Sequence, residues 1–327
     1  MQAAAWTENR EYDVLAIGEV NIDLIMSGLP HLPGFGEEVL AEHLTRRLGG
    51  STANFAVCCA RLGLRVAFVA RVGRDDFGDF LIEQLESMDV GSQHITRDPS
   101  LRTGLTVSLS GAEDRAFVTY VGTIDSLTGD DVPDHLLRAC RHVHVGSYFL
   151  QTRLQPALPG IFRRAHAAGA SVALDTGFDP AEKWDSGVRE LLEEVDLLFP
   201  NEIEAPAIAG ADDELVAMGA LSRRCGVVAL KLGERGAMAC EGSRCERAPA
   251  CEVQVADTTC CGDAFDAGFT SALLAGRELG DCLRRGNACG SLMASVVGND
   301  VSVLTPAAVS ECESACEATP AEIGEAR

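Results

Sequence analysis

Short apolar runs that suit buried strands alternate with segments of helical spacing along most of the chain. The pattern predicts strands over residues 14–18, 66–69, 143–145, 172–175, 197–199 and 227–230. Between them it predicts helices over residues 53–62, 77–88, 156–168 and 188–194. A regular alternation of strands and helices is typical of an α/β fold, in which helices cover both faces of a parallel sheet.

Two segments interrupt this alternation. Residues 37–48 and 103–120 have strand character without an intervening helix, and residues 110–114 have the composition of a hairpin turn. Strands inserted at separate points can pair into a small second sheet, and the carboxyl edge of a parallel sheet is where such folds bind ligands. We therefore expect a single α/β domain over residues 1–327, with lid strands inserted at about 34–48 and 103–121. A surface flap without a role is the alternative.

The charge of the chain limits its partners. Forty-nine acidic residues against 27 basic ones give a formal net charge of −22, which repels phosphate backbones and anionic lipids. We therefore expect no nucleic-acid and no membrane partner, although backbone amides can still bind an anion locally. No apolar run is long enough to cross a bilayer, and the first residues lack the apolar segment of a secretory signal, so we expect a cytoplasmic protein.

Thirteen cysteines are many for such a chain, and the number is odd. Without a secretory signal, reduced thiols are a better interpretation than a disulfide framework. Five cysteines in the last third of the chain lack the paired spacing of a zinc site: Cys240, Cys245, Cys251, Cys312 and Cys316. The seven histidines show no metal-binding spacing either, so no structural metal is predicted.

The most informative segment for chemistry is residues 257–269. Small and polar residues there precede a helical run, and Asp263 lies at its start. Unpaired amides at a helix N-terminus bind anions, and a carboxylate beside them can take a proton from a hydroxyl while a phosphoryl group is attacked. Ordinary helix capping by Asp and Thr is the alternative.

This segment resembles the carboxy-terminal signature of the ribokinase-like (PfkB) family of carbohydrate kinases. Residues 48–63 resemble the amino-terminal signature of the same family, and further matches follow in family order at residues 18–23, 33–37, 72–78, 201–204 and 231–236. Several motifs in the right order are far more specific than any one alone. The resemblance covers about residues 12–308 and implies an α/β domain with a β-sheet lid, ATP-dependent phosphoryl transfer, and ATP with Mg²⁺.

The resemblance also implies catalytic roles. Asp263 matches the general base, and the amides of Cys260, Cys261 and Gly262 match the anion hole that stabilises the transferred phosphoryl group. The family usually has Gly-Ala-Gly before the base, and cysteine resists the positive φ angles that glycine allows. Thiols at a helix N-terminus also tend to have a lowered pKa, which suggests sensitivity to oxidation as a hypothesis.

On the nucleotide side, the resemblance implies that Asn201 and Glu204 place the phosphates and Mg²⁺, with Glu204 acting through water. It assigns Lys231, Gly233 and Gly236 to the strand and turn that line the nucleotide site, and Asn287 to a position beside the adenine. The residues alone also allow a helix cap at 201–204, a solvated lysine at a strand end, and a polar residue within a helix.

On the acceptor side, the resemblance implies that the sugar is held by five residues: Asn21, Asp23, Gly49, Gly50 and Asn54. Asn21 and Asp23 alternate with apolar residues and so face one side of a strand end. Their side chains can bind sugar hydroxyls, and the glycines allow a backbone to approach a ligand closely. An exposed carboxylate and a tight turn are the alternatives.

A monovalent cation site is suggested by the same resemblance, because some family members bind such an ion beside the anion hole. Asp257 and Thr259 fall at two of the matching positions, and Gly298 and Ser302 fall near others. The resemblance therefore suggests activation by K⁺.

The function predicted from these motifs is transfer of the γ-phosphoryl group of ATP to a hydroxyl of a small sugar. A nucleoside kinase is the alternative within the fold, and would need aromatic residues near the acceptor, for which the candidates are Phe35, Phe117, Tyr120, Tyr148 and Phe149. A phosphorylated sugar is disfavoured because no basic cluster is evident, although Arg102, Arg115 or Arg153 could supply one.

Two further interpretations concern activity and assembly. The cysteines at 260 and 261 leave open a catalytically weak protein that regulates by binding a sugar or nucleotide. In several family members the lid sheets pair, so a homodimer through the lid is expected.

Overall fold

A computed structural model describes residues 10–111, 115–316 and 319–321. Its strands are β1 (Tyr12–Ile17), β2 (Asn21–Leu29), β3 (His43–Gly49), β4 (Val66–Gly73), β5 (Ile95–Asp98), β6 (Leu105–Gly111), β7 (Arg115–Tyr120), β8 (Cys140–Val145), β9 (Ser171–Leu174), β10 (Leu197–Leu198), β11 (Val227–Lys231), β12 (Ala237–Glu241), β13 (Arg244–Ala248) and β14 (Thr319–Ala321). Its helices are α1 (Ser51–Arg61), α2 (Asp76–Ser87), α3 (Asp134–Ala139), α4 (Leu158–Ala167), α5 (Val188–Leu191), α6 (Glu204–Ala209), α7 (Glu214–Leu221), α8 (Cys261–Leu274), α9 (Leu279–Ala294) and α10 (Pro306–Ala315).

The large sheet contains ten of the described strands, in the order β14-β13-β12-β11-β10-β9-β8-β1-β4-β5. The strands from β11 to β5 pair in parallel, whereas β11 to β14 pair antiparallel. Every strand and helix predicted from the hydrophobic pattern is present, and the predicted α/β fold with a parallel sheet is confirmed.

Both faces of the large sheet are buried. On β1, Leu15 and Ile17 pack into one hydrophobic cluster, and Val14 and Ala16 pack into another on the opposite face. Because alternate residues of a strand point to opposite faces, a strand that is apolar throughout needs a layer of helices on each side. The carboxyl ends of the parallel strands therefore meet at one edge, where polar side chains follow β1, β9 and β10.

A second sheet has the order β3-β2-β6-β7 among the described strands. Strand β2 pairs antiparallel with β3 and parallel with β6, and β6 pairs antiparallel with β7. The sequence did not mark β2 as a strand of this sheet, because its alternation continues that of β1 with only residues 18–20 between them. Within the predicted strand at 37–48, only His43–Gly49 is extended in the sheet, since glycine and proline precede it. Residues 112–114 of the predicted turn lie outside the described part.

The two faces of this lid sheet differ in polarity. Asp23, Thr106 and Thr119 stand opposite one another in register and so share one face, with 3.1 Å between the two threonine hydroxyl oxygens. Leu24 and Val107 are in register with Val118 on the other face, where Val118 is 64% exposed. At one end of the apolar face, Ile22, Leu24 and Leu105 pack against a hydrophobic cluster of the main core.

The cysteines differ in one respect from the sequence-based expectation. Cys240 and Cys245 are directly opposite on β12 and β13 and form a disulfide, so the prediction of reduced thiols is wrong for this pair. The hairpin register brings them together, and spacing alone did not show it. The other cysteines are free thiols, and no group of metal-binding side chains is found among the described residues. Within the same residues, no helix is long and apolar enough to cross a membrane.

Candidate active site

Asp263 lies in the first turn of α8, at the carboxyl edge of the large sheet. The hydroxyl of Ser51, the first residue of α1, donates a 2.5 Å hydrogen bond to Oδ1 of Asp263. Burial raises the pKa of Asp263 to about 7, even though the hydrogen bond from Ser51 lowers it, and the nearby charge of Asp175 raises it further. A carboxylate with a pKa near neutrality is suited to accept a proton at physiological pH.

The backbone amides next to Asp263 can bind an anion. Within the described part of the chain, the amides of Gly262 and Asp263 donate to no other group, and the Cys261 amide makes only a long, 3.4 Å bond to the Thr258 carbonyl. Cys260 caps the helix with φ of 64°, a left-handed conformation that favours glycine. A residue other than glycine pays about 1 kcal/mol for this conformation.

The two thiols of this turn are not activated. A hydrogen bond with Cys58, whose sulfur lies 3.8 Å away, and burial raise the pKa of Cys260, and burial raises the pKa of Cys261 to about 12. The predicted lowering of the thiol pKa is therefore wrong, because desolvation and the neighbouring acidic residues outweigh the helix N-terminus.

Lys231 ends β11 and points its ammonium group into a cluster of carboxyls. Its Nζ lies 2.7 Å from Asp175 Oδ2 and 3.1 and 3.2 Å from the two carboxyl oxygens of Asp266. A Cβ atom added at Gly262 would lie 3.6 Å from the same Nζ, which places the ammonium beside the turn that carries Asp263. The structure thus brings Lys231, Gly262 and Asp263 together.

Asp175 and Asp266 were not identified from the sequence. Burial opposes ionisation of Asp175, but the charge of Lys231 and a hydrogen bond with Asp266 lower its pKa to about 2. Burial raises the pKa of Asp266 well above its usual range, although the charge of Lys231 lowers it. The available signals were that Asp175 directly follows a buried strand and that Asp266 lies one helical turn after Asp263.

Asn201 and Glu204 form a closed pair at the start of α6. The Asn201 amide and side chain donate to the two oxygens of Glu204, at 3.0 and 2.8 Å, and the Asn201 side chain accepts from the amides of Ile203 and Glu204. This is a helix cap, the alternative that the sequence left open. Burial raises the pKa of Glu204 to about 7, and the charge of Asp175 raises it further.

The carboxyls at this edge fit the hydrated Mg²⁺ that the resemblance implies. The charge of Lys231 acts on Asp175, Glu204, Asp263 and Asp266, so four carboxyls lie close together at this edge. Mg²⁺ prefers oxygen ligands and keeps several waters, and it is bound through one or two carboxylates and the phosphates of a substrate. Glu204 is the predicted residue that would hold it through water.

A cavity of about 550 Å³ adjoins this cluster and is lined by Lys231, Gly233, Gly236, Gly262 and Asn287, among others. The Asn287 amide nitrogen donates to the carbonyls of Ala248 and Pro249, at 2.9 Å each, and so fixes the segment after β13. At Gly236, φ is 82° and a Cβ would lie 2.1 Å from the Ala248 carbonyl, so only glycine fits. Four of the predicted nucleotide residues, Lys231, Gly233, Gly236 and Asn287, thus share one cavity, whereas Asn201 and Glu204 are not among the residues that line it.

The predicted acceptor residues meet on the other side of Asp263. The Asn21 amide donates to Asp23 Oδ1 at 2.8 Å, and a Cβ at Gly49 would lie 2.3 Å from the Asp23 carboxyl. Gly50 has φ of 98° and precedes Ser51, while Asn54 on α1 accepts from Asn299 at 3.2 Å. Burial raises the pKa of Asp23 to about 6, although its bond from Asn21 lowers it.

Glu19 is a third residue that the sequence analysis missed. Its buried carboxylate follows β1 and accepts from the hydroxyls of Thr52 and Ser147, at 2.8 and 2.7 Å, and from Gln151 at 3.1 Å. These bonds connect the segment before Asn21 to the start of α1. A glutamate directly after a buried strand was the available signal.

The residues suggested for a monovalent cation are only partly together. Asp257 accepts from the amide and hydroxyl of Thr259, at 3.0 and 2.8 Å, and from the Gly298 amide at 2.9 Å. The Ser302 amide instead donates to the Asp300 carboxylate, and its carbonyl accepts from Arg61. The cation site stays a prediction for the first three residues, and nothing in the contacts supports Ser302.

The aromatic residues proposed for a nucleoside site are dispersed. Tyr148 and Phe149 are buried in the main hydrophobic core, and the Tyr148 hydroxyl donates to the Ser186 carbonyl. Tyr120 is on the apolar face of the lid and Phe117 on the polar face, because they are three residues apart on β7. Tyr148 and Phe149 therefore cannot enclose a base.

Three comparisons agree with this architecture. Residues 12–306 match the family described as pfkB family carbohydrate kinase. Ribokinase of Haemophilus influenzae is 27% identical over 299 residues, which cover 88% of this chain and 94% of that protein. Adenosine kinase from Sinorhizobium meliloti has a TM-score of 0.79 at 26% identity, covering 90% of this chain and 98% of its own. An E. coli structure with ATP and Mg²⁺ has a TM-score of 0.80 at 23% identity, covering 93% and 98%.

Proposed function

Because the chain belongs to the pfkB family of carbohydrate kinases, we propose that it transfers the γ-phosphoryl group of ATP to a hydroxyl of a small sugar. The observation that carries this proposal is the position of Asp263 beside unpaired helix-end amides, between the nucleotide cavity and the acceptor residues. A base, an anion-binding turn and two adjoining binding regions are the parts that phosphoryl transfer to an alcohol requires.

In the proposed reaction, Asn21 and Asp23 hold hydroxyls of the sugar so that one hydroxyl faces Asp263. Asp263 accepts the proton of that hydroxyl, and the oxygen bonds to the γ-phosphorus while the bond from that phosphorus to the bridging oxygen of ADP breaks. The amides at the start of α8 stabilise the charge on the transferred group. The lid excludes water from the reacting groups.

The proposed cofactors are ATP and Mg²⁺. When bound, Mg²⁺ neutralises phosphate charge, and Glu204 would hold it through water. The shared cavity at Lys231, Gly233, Gly236 and Asn287 supports binding of the nucleotide there. K⁺ beside Asp257, Thr259 and Gly298 remains part of the proposal as an activating ion.

A sugar is favoured over a nucleoside because of the residues that face the acceptor. The polar face of the lid presents Asp23, Thr106 and Thr119, which suit hydroxyl groups. A nucleoside kinase is the second candidate, since an adenosine kinase shares the fold at 26% identity and Phe117 lies on that same face. A weak, binding-only protein is the third, because Cys260 replaces the usual glycine.

The proposed domain arrangement is one α/β domain with the four-stranded sheet as its lid. The proposed assembly is a homodimer in which the apolar faces of two lids cover each other. Exposed apolar side chains on that face, such as Leu44 and Val118, support this pairing.

An ADP-release screen tests the function. The protein is assayed with Mg²⁺-ATP and K⁺ against ribose, fructose, 2-keto-3-deoxygluconate, tagatose 6-phosphate, fructose 1-phosphate, adenosine, inosine and cytidine. We expect turnover on an unphosphorylated sugar. Turnover on a nucleoside alone would favour the second candidate, and silence with retained ATP binding would favour the third.

A further inference from the structure

Lys231 is one of two lysines in a chain that has 25 arginines. The chain thus supplies positive charge almost everywhere as a planar guanidinium, but at the end of β11 it has a compact ammonium. An ammonium has three N–H donors in a tetrahedral arrangement, whereas a guanidinium is a flat fork that needs more room. The position is therefore one where three donors must diverge from a single point.

Two of the three donor directions are occupied within the protein. Asp175, which follows β9, accepts at 2.7 Å, and the two oxygens of Asp266, on α8, lie at 3.1 and 3.2 Å. These two oxygens belong to one carboxyl and so occupy one side of the ammonium. The ring of Phe199 lies 5.9 Å from Nζ and covers another side. Position 262 faces the ammonium, since a Cβ atom there would lie 3.6 Å from Nζ. Because this residue is glycine, no side chain fills that side of the ammonium.

Burial makes this arrangement rigid. The side chains of Lys231, Asp175 and Asp266 are 14%, 7% and 1% exposed. A buried ammonium without partners is costly, so Lys231 cannot leave its carboxyls without losing charge-assisted hydrogen bonds. Asp175 follows strand β9, Asp266 lies on helix α8 and Lys231 ends strand β11, so three elements of the fold set the position of Nζ.

We propose that Asp175 and Asp266 are positioning residues that fix Lys231 Nζ beside the amides of Gly262 and Asp263, so that its third N–H binds the γ-phosphoryl group of ATP. This inference rests on the proposed function, and it assigns a task to two carboxyls that no motif identified. Lys231 would then contact the group being transferred, and not the two phosphates that remain in ADP.

The consequence is a preference for ATP over ADP that depends on the whole cluster. ADP lacks the γ-phosphoryl group, so loss of Lys231 should weaken ATP and leave ADP unchanged. Loss of Asp266 should have the same selective effect, but only while Lys231 is present, because Asp266 acts through it. Such coupling between two substitutions is what a double-mutant cycle measures.

The experiment measures dissociation constants of Mg²⁺-ATP and Mg²⁺-ADP by titration calorimetry, without acceptor, for the wild-type chain, Lys231→Met, Asp266→Ala and the double variant. Alanine removes the oxygen acceptors of Asp266, which asparagine would partly keep. We expect Lys231→Met and Asp266→Ala each to weaken ATP about tenfold, with ADP changed less than about twofold. In the Lys231→Met background, Asp266→Ala should have no further effect on the ratio of the two constants.

Matched controls are Lys183→Met, at the other lysine, and Asp212→Ala, at an exposed carboxylate before α7, which should leave both constants unchanged. If thermal unfolding shows that Asp266→Ala is not folded, Asp175→Ala replaces it with the same expectation. Equal weakening of ATP and ADP, or the same effect of Asp266→Ala with and without Lys231, would overturn the positioning role alone. Failure of the wild-type chain to bind either nucleotide would overturn the proposed function and this inference with it.

Discussion

The hydroxyl of Ser51 donates a 2.5 Å hydrogen bond to the carboxylate of Asp263, across 212 positions of sequence. Ser51 begins the helix that follows the predicted acceptor glycines, and Asp263 lies in the first turn of the helix whose amides are unpaired. The bond therefore joins the acceptor side of the site to its anion-binding side. It also orients the carboxylate that we propose as the base.

The pH dependence of activity should follow the ionisation of Asp263. Its pKa is raised to about 7, and a base must be ionised to accept a proton, so activity is lost as pH falls through about 7. We expect kcat/KM, which reports the unbound enzyme, to rise tenfold per pH unit below that value and to level off above it. Glu204→Gln is the control, since the pKa of Glu204 is also about 7 and its removal should leave this limb in place.

Replacing Ser51 with alanine should move the rise of kcat/KM with pH to higher pH. The Ser51 hydroxyl stabilises the ionised form of Asp263, so its loss raises the pKa of the carboxyl. A hydrogen bond to a charged group is worth about 1.5 kcal/mol, which corresponds to about one pH unit. The pH profile of kcat/KM measures the shift, and a limb at the wild-type position in Ser51→Ala would show that the bond does not tune the base.

The Cys260→Gly variant should be more stable to unfolding than the Cys260→Ala variant. Cys260 has φ of 64°, so alanine keeps the strain that glycine relieves, and the expected difference is about 1 kcal/mol in the free energy of unfolding. In an ordinary helical position the order is reversed by a similar amount. Urea unfolding of Cys260→Gly and Cys260→Ala measures the difference, and an alanine variant equal to or more stable than glycine would contradict the strained turn.

A charge on the apolar face of the lid should separate the proposed dimer. Val118 is 64% exposed and in register with Val107 on that face, so Val118→Lys would place an ammonium between two apolar surfaces. We expect the dissociation constant of the dimer to rise at least about a hundredfold. Sedimentation equilibrium measures it, with Leu215→Lys on α7 as the control. A wild-type monomer at the same concentrations would contradict the assembly.

The sequence predicted six strands of the large sheet, β1, β4 and β8 to β11, because each of them is a short apolar run. It did not predict β5 or β12 to β14, which lie towards the two edges of the sheet. Residues 143–145 and 227–230 are examples that the structure confirms as parts of β8 and β11. The lid was less visible, because β2 continues the alternation of β1 and the residues before β3 resemble an extended segment. Only pairing partners distinguish such strands from loops, and pairing depends on residues distant in sequence.

The sequence predicted the site residues that are close together along the chain and missed those that come together only in the fold. Asp263 and its turn are contiguous in sequence, so their pattern could be recognised. Asp175 and Asp266 matter because both touch Lys231, and these residues come from three separate elements. The thiol pKa was predicted in the wrong direction, since the burial of Cys260 and Cys261 depends on tertiary packing that no local pattern contains.

The most direct test of the account is the turnover of Asp263→Asn on the sugar that the screen identifies. General-base catalysis contributes about 10²- to 10⁴-fold, so kcat should fall by about a thousandfold. The dissociation constant of Mg²⁺-ATP should stay within about twofold, because the amide keeps the shape of the carboxylate. Asp212→Asn serves as the matched control. A variant with kcat near that of the wild-type chain would contradict Asp263 as the base.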